Sequence, residues 1–136
     1  MLNYENEKYI IHDTMVDNIE ITSDGLILYF SQGIYCINHE NDSVNLIPRC
    51  RMYISITKFD MEALYQHIEI IKLHKYTYKE ISFASFIRAV NKNRFNVYLD
   101  YYSPFANSIL IEGLSNNIKY YFKVSEIESI KFIFDR

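Results

Sequence analysis

The chain predicts a β-rich α+β fold: an antiparallel meander forming a rolled sheet or sandwich, with one helix at about residues 82–92. Three observations point there. Aromatic residues make up 16% of the chain, with 13 Tyr, 9 Phe and no Trp, and such side chains favour pleated, half-buried surfaces. Apolar residues recur at every second position in run after run, which puts one face of each strand on a core. Only one stretch repeats convincingly with the helical period.

Tyr4 to His12 reads as a first short strand, with Tyr9 and Ile11 on one side and Ile10 on the other. The meander follows over about 15–38. Val16, Ile19 and Ile21 lead to Ser23-Asp24-Gly25, then Leu26, Leu28 and Phe30 to Ser31-Gln32-Gly33, then Ile34 and Cys36. Each glycine stands where a tight hairpin needs positive φ, which Gly adopts without steric cost. His39-Glu40-Asn41-Asp42-Ser43 reads as a loop, and Pro48 closes an irregular stretch. Arg51 to Phe59 is a strand, Met52, Ile54 and Ile56 opposing Tyr53, Ser55 and Thr57.

Asp60 to Tyr76 carries two patterns. Met61, Leu64, Tyr65, Ile68 and Ile71 fit a helical stripe capped by Asp60. The density of Ile68, Ile70 and Ile71 favours a strand over about 64–74, since β-branched side chains lose rotamer freedom in a helix. At 82–92, Phe83, Phe86, Ile87 and Val90 fall at i, i+3, i+4 and i+7 behind a Ser82 cap, with Asn91-Lys92-Asn93 as a stop. Phe95, Val97, Leu99 and Tyr101 then alternate against Asn96, Tyr98 and Asp100 until Ser103-Pro104. A strand from Ile109 ends at Gly113, and Asn116-Asn117 is a turn. Ile118 to Val124 and Ile130 to Phe134 alternate again, for eight or nine strands in all.

At 136 residues the chain fits one domain, 1–136, long enough to bury roughly two-thirds of its unfolded surface. Three Gly and two Pro argue against disorder and long linkers. A net charge of −3 counts against a nucleic-acid partner, which calls for a basic excess or stripe. No run of 18 apolar residues exists, so no membrane span is expected. Met1–Lys8 is polar and acidic, unlike a signal peptide, and a cytoplasmic location is the expectation.

Candidate chemistry is sparse. His12-Asp13 are adjacent and point to opposite faces of a strand, so a turn anchored by side-chain hydrogen bonds outweighs an acid–base pair. Cys36 with His39 has the composition of a thiol nucleophile and base, but Cys36 falls on the apolar face of its strand, where burial makes a thiol inert. Cys50 between Arg49 and Arg51 has cations to lower its pKa but no base, and reads as an edge-strand residue. His67, Glu69 and His74 share no single face in either a strand or a helix, so no metal is expected, and the isolated glycines exclude a phosphate cradle; no cofactor is expected. Lys119, Tyr121 and Lys123 form a basic, aromatic strand face of the kind that reads RNA, which in an acidic chain is better taken as solvated. Asp100-Tyr101-Tyr102-Ser103-Pro104-Phe105 stands out instead, because a loop with this aromatic content is costly to expose and tyrosine is enriched at binding hot spots.

Two stretches carry a resemblance: His12-Asp13-Thr14 with the following hairpin and Gly33, and Glu80-Ile81-Ser82 through Phe86 and Asp100-Tyr101-Tyr102 to Gly113. Together they resemble small bacterial proteins of unknown function, some thought to be toxin-immunity proteins. The resemblance covers most of the chain, rests on hydrophobic pattern and a few punctuating residues, and transfers no catalytic residue. It implies a cytoplasmic bacterial binding protein.

The leading expectation is a non-enzymatic protein-binding module, an immunity-like inhibitor of a basic toxin domain. Tyr101, Tyr102 and Phe105 would anchor the partner, with Asp100 in the rim. A small thiol-dependent hydrolase on Cys36 or Cys50 with His39 is the alternative from another class. A homo-oligomeric structural protein, such as a homodimer pairing exposed sheet edges, is a third.

Overall fold

Val16 and Ile19 are three residues apart, a spacing that no single strand can place on one face. The chain resolves this by changing sheets at Asp17. The Asp17 N–H donates to the Tyr29 carbonyl at 3.0 Å, and its carboxylate accepts from the Ser31 N–H at 2.8 Å, which pins the crossing. A computed structural model describes residues 3–4, 9–38 and 40–134.

In chain order the strands are β1 (Asn3–Tyr4), β2 (Tyr9–Ile10), β3 (Thr14–Val16), β4 (Asn18–Ile21), β5 (Gly25–Phe30), β6 (Ile34–Asn38), β7 (Ser43–Ile47) and β8 (Cys50–Ile56). After a 3-10 turn at Leu64–Gln66 come β9 (Ile68–His74), β10 (Thr77–Ile81), the helix α1 (Phe83–Asn93), β11 (Phe95–Ser103), β12 (Ser108–Ser115), β13 (Ile118–Val124) and β14 (Ile127–Phe134). They form a five-stranded sheet β1-β14-β8-β5-β4, a six-stranded sheet β10-β9-β13-β12-β11-β3 and a three-stranded sheet β2-β6-β7. All pairings are antiparallel except β1 with β14. Among the described residues the fold is α+β and β-rich with one helix, as the sequence implies, but it has fourteen strands, several of them short edges, where the sequence suggests eight or nine.

The two larger sheets bury their inner faces in one core. Leu26, Leu28 and Phe30 meet Ile54, Met52 and Cys50 across the first sheet, while Ile70, Phe122 and Ile111 form a row across the second. α1 begins where expected: Ser82 caps it, its hydroxyl accepting from the Ser85 N–H at 3.1 Å. Its buried stripe of Phe83, Phe86 and Val90 lies on the inner side of the six-stranded sheet. There Phe86 meets the rings of Phe95, Tyr120 and Phe122 at 5.2–5.3 Å. The three-stranded sheet docks on the end of the first, Tyr9 sitting 5.1 and 5.0 Å from the rings of Phe132 and Phe134.

Several local readings differ. β5 and β6 are not a hairpin: β5 pairs with β4 and β8, and the chain turns at Gly33 into the third sheet. Gly33 alone of the three glycines has positive φ, at +89°, whereas Gly25 opens β5 itself. The irregular stretch before Pro48 is the strand β7, whose Val44 and Leu46 are exposed and so give no buried stripe to read. Of residues 64–74 only 68–74 are strand, the first turn being 3-10. The expected strand from Tyr4 to His12 falls partly outside the described residues; of its described part Tyr4 ends β1, Tyr9–Ile10 form β2, and Ile11 and His12 are not strand. The Asn116-Asn117 turn is present, both residues taking the positive φ (52° and 63°) that a tight two-residue hairpin requires.

Candidate functional site

β11 changes phase in its middle. Val97 pairs with Gly113 and Leu99 with Glu112, so Tyr98 is an extra residue with no partner across the ladder. Before the bulge Phe95 and Val97 are buried; after it the parity inverts, leaving Leu99 44% and Tyr101 64% exposed. The alternation of Phe95, Val97, Leu99 and Tyr101 toward one core face is thus corrected by a single inserted residue. Its trace in the sequence is Gly113, which the strand continues through to Ser115 instead of ending there. A Cβ at Gly113 would lie 2.4 Å from the Asn96 carbonyl oxygen and 2.6 Å from the Phe95 ring, so the bulged strand presses on a position only glycine can fill.

The bulge separates the four residues expected to meet a partner. Asp100 pairs with Ile111 and Tyr102 with Ile109, so both lie on the core-facing side and are half-buried. Burial pushes the Asp100 carboxyl and the Tyr102 hydroxyl up from their ordinary pKa values, with His12 nearby partly offsetting the shift at Asp100. Tyr101 points to the opposite, outer face, and Phe105 is fully exposed at the tip of the β11–β12 hairpin.

Tyr101 belongs to a larger surface. Across the outer face of the six-stranded sheet, one row runs Tyr78, Leu73, Lys119, Leu114, Asn96 and Met15. A second row holds Glu80, Ile71, Tyr121, Glu112 and Leu99. Lys123, Leu110 and Tyr101 continue a third from Glu69. Near the centre, the Lys119 ammonium lies 4.9 and 5.6 Å from the ring centroids of Tyr121 and Tyr98. Hydrogen bonds to the Tyr121 and Tyr98 hydroxyls hold the pKa of Lys119 above its ordinary value. The helix leaves this face bare because its apolar stripe is spent on the inner side of the same sheet.

The outer face of the five-stranded sheet is different in kind. There the Tyr29 hydroxyl donates to Glu20 at 2.6 Å and Arg51 to the Tyr53 hydroxyl at 3.3 Å, so its polar groups answer one another.

Thiol chemistry finds little support. Cys50 is buried in β8, a central strand between β14 and β5 and not an edge, because its side chain continues the Met52–Ile54–Ile56 stripe. Cys36 is half-buried, with its Sγ 3.9 Å from the Ile37 carbonyl, and His39, its expected base, lies outside the described residues. His67 is buried against Phe59, its Nε2 accepting from the Asp60 N–H at 3.4 Å, while Glu69 faces outward opposite Lys123 and His74 ends β9. Among the described residues no three His, Cys, Asp or Glu side chains gather as a metal set. No helix among the described residues is long and apolar enough to cross a membrane. Comparison with family models, curated proteins and solved structures finds no match to this chain.

Proposed function

We propose that the protein is a non-enzymatic binding module that docks another protein on the outer face of its six-stranded sheet. The observation that carries this reading is the exposure of Tyr78, Leu99, Tyr101 and Leu114 together on a sheet face that, among the described residues, the helix does not cover. Contiguous exposed apolar surface of this kind marks interaction sites, and tyrosine supplies large contact area at low entropic cost. Phe105, on the hairpin that continues from Tyr101, extends the surface at its edge. Tyr102 and Asp100, turned toward the core, support that hairpin instead of touching the partner.

The charges on the face favour a protein over a nucleic acid. Glu69, Glu80 and Glu112 share it with Lys119 and Lys123, an acidic balance that opposes a phosphate backbone. With the net charge of −3, the same balance suits a basic partner domain. The immunity-like inhibitor of a toxin is the narrower form of this proposal.

The test is affinity capture from the native host with the wild-type chain, a Tyr101→Ala/Phe105→Ala variant, and Lys131→Ala on the opposite sheet as control. Tyr101 and Phe105 are exposed, so the double variant folds. One stoichiometric partner is expected with the wild type and the control, its affinity falling at least about tenfold in the double variant. A partner held equally by all three would overturn the assignment of the face. An empty eluate would overturn the binding-module reading.

A further inference from the structure

Among the described residues five sheet edges are blunted. β1 and β2 are two residues long and β3 is three, β4 carries Glu20 and packs against α1, and β10 carries Lys79 and Glu80. Short edges, charges and covering helices are the devices that stop a sheet from pairing with another chain. β7 has none of them. It is five residues long, Ser43-Val44-Asn45-Leu46-Ile47, without a charge or a proline, and pairs with β6 alone among the described residues. Its Val44 and Leu46 are 57% and 55% exposed.

Beside this edge lies a cleft of about 410 Å³ between the third sheet and the rim of the six-stranded sheet. Tyr35 and Leu46, paired directly across β6 and β7, form one wall; Met15, Tyr98 and Leu114 form the other. Asp13, an exposed carboxylate 3.4 Å from His12 Nε2, is the one acidic or basic side chain lining it among the described residues. A strand added to β7 would continue the Tyr35–Leu46 row, because directly opposed residues share a face. Its alternate side chains would enter the cleft.

We propose that the β7 edge takes up an extended segment of a partner protein by strand addition, with alternating apolar side chains in the cleft and a Lys or Arg beside Asp13. Main-chain hydrogen bonds to β7 would supply affinity, and the cleft would supply the choice of side chains. A basic residue fits because Asp13 is the one acidic side chain among the described residues of the cleft wall. The cleft shares Met15 and Leu114 with the rim of the outer sheet face, but the edge that would take up the strand, with Val44 and Leu46, lies outside that face.

A displayed library of short random peptides, selected against the full chain, tests it. Enriched peptides are expected to alternate apolar residues around a Lys or Arg and to slow amide hydrogen exchange at Val44–Ile47. Leu46→Lys, an exposed substitution that places a charge on the edge, should weaken them at least about tenfold. Asp13→Asn should remove the preference for the basic residue, and Lys131→Ala on the five-stranded sheet should leave binding unchanged. No enrichment, or protection confined to other strands, would overturn the proposal. So would a concentration-dependent dimer by light scattering that Leu46→Lys abolishes, since a second copy would then hold the edge.

Discussion

Asp100 lies directly opposite Ile111, on the side of the six-stranded sheet that faces the core. One residue earlier in phase it would have stood in water. The Tyr98 bulge turns it inward, and burial raises its pKa above the ordinary 3.8. Between those two values the folded chain holds more protons than the unfolded one, so stability falls as pH rises through that window. Asp100→Asn should therefore raise the urea midpoint at neutral pH. The gain should shrink as pH drops through the raised value and vanish below 3.8; unfolding curves at several pH values check this.

Gly113→Ala should destabilise the fold by about 3 kcal/mol, because the new methyl collides with the backbone of Asn96 as well as the Phe95 ring. Backbone cannot swing aside as a side-chain end can. Chemical denaturation gives the magnitude, and exchange of the β11 amides should report that the bulge is disturbed.

Phe86→Ala should cost about 4 kcal/mol. Its ring is fully buried among Phe83, Phe95, Tyr120 and Phe122, and it joins α1 to β11 and β13. Ser82→Ala, which removes only the cap, should cost about 1 kcal/mol. Thermal or urea unfolding of the two variants side by side separates core packing from capping.

Lys119 should react with an acylating reagent at mildly alkaline pH more slowly than Lys123 on the same strand. Its ammonium form is held by the Tyr121 and Tyr98 hydroxyls, and only the neutral amine reacts. Tyr98→Phe/Tyr121→Phe should restore the rate, read by mass spectrometry of timed aliquots.

Much of the fold was legible from short-range pattern. α1, with its cap at Ser82, follows from the spacing of Phe83, Phe86 and Val90. β8, β13 and β14 follow from unbroken alternation, and the Asn116-Asn117 hairpin from residues that tolerate positive φ. β7 was hidden because exposed Val44 and Leu46 on an edge leave no contrast between faces. The tyrosine face was visible only in fragments, as Tyr101 in one segment and Lys119 with Tyr121 in another. Neither fragment reveals that six strands align them on one surface.

What the sequence determined by itself is the helix and those strands with one buried face, since their periods arise from backbone geometry within a few residues. Tertiary structure decided the rest: β6 leaves β5 for a third sheet, and Tyr101 faces water while Asp100 faces the core. Strand pairing is chosen by competition for burial among residues far apart in the chain, and one bulged residue reverses the parity of everything after it.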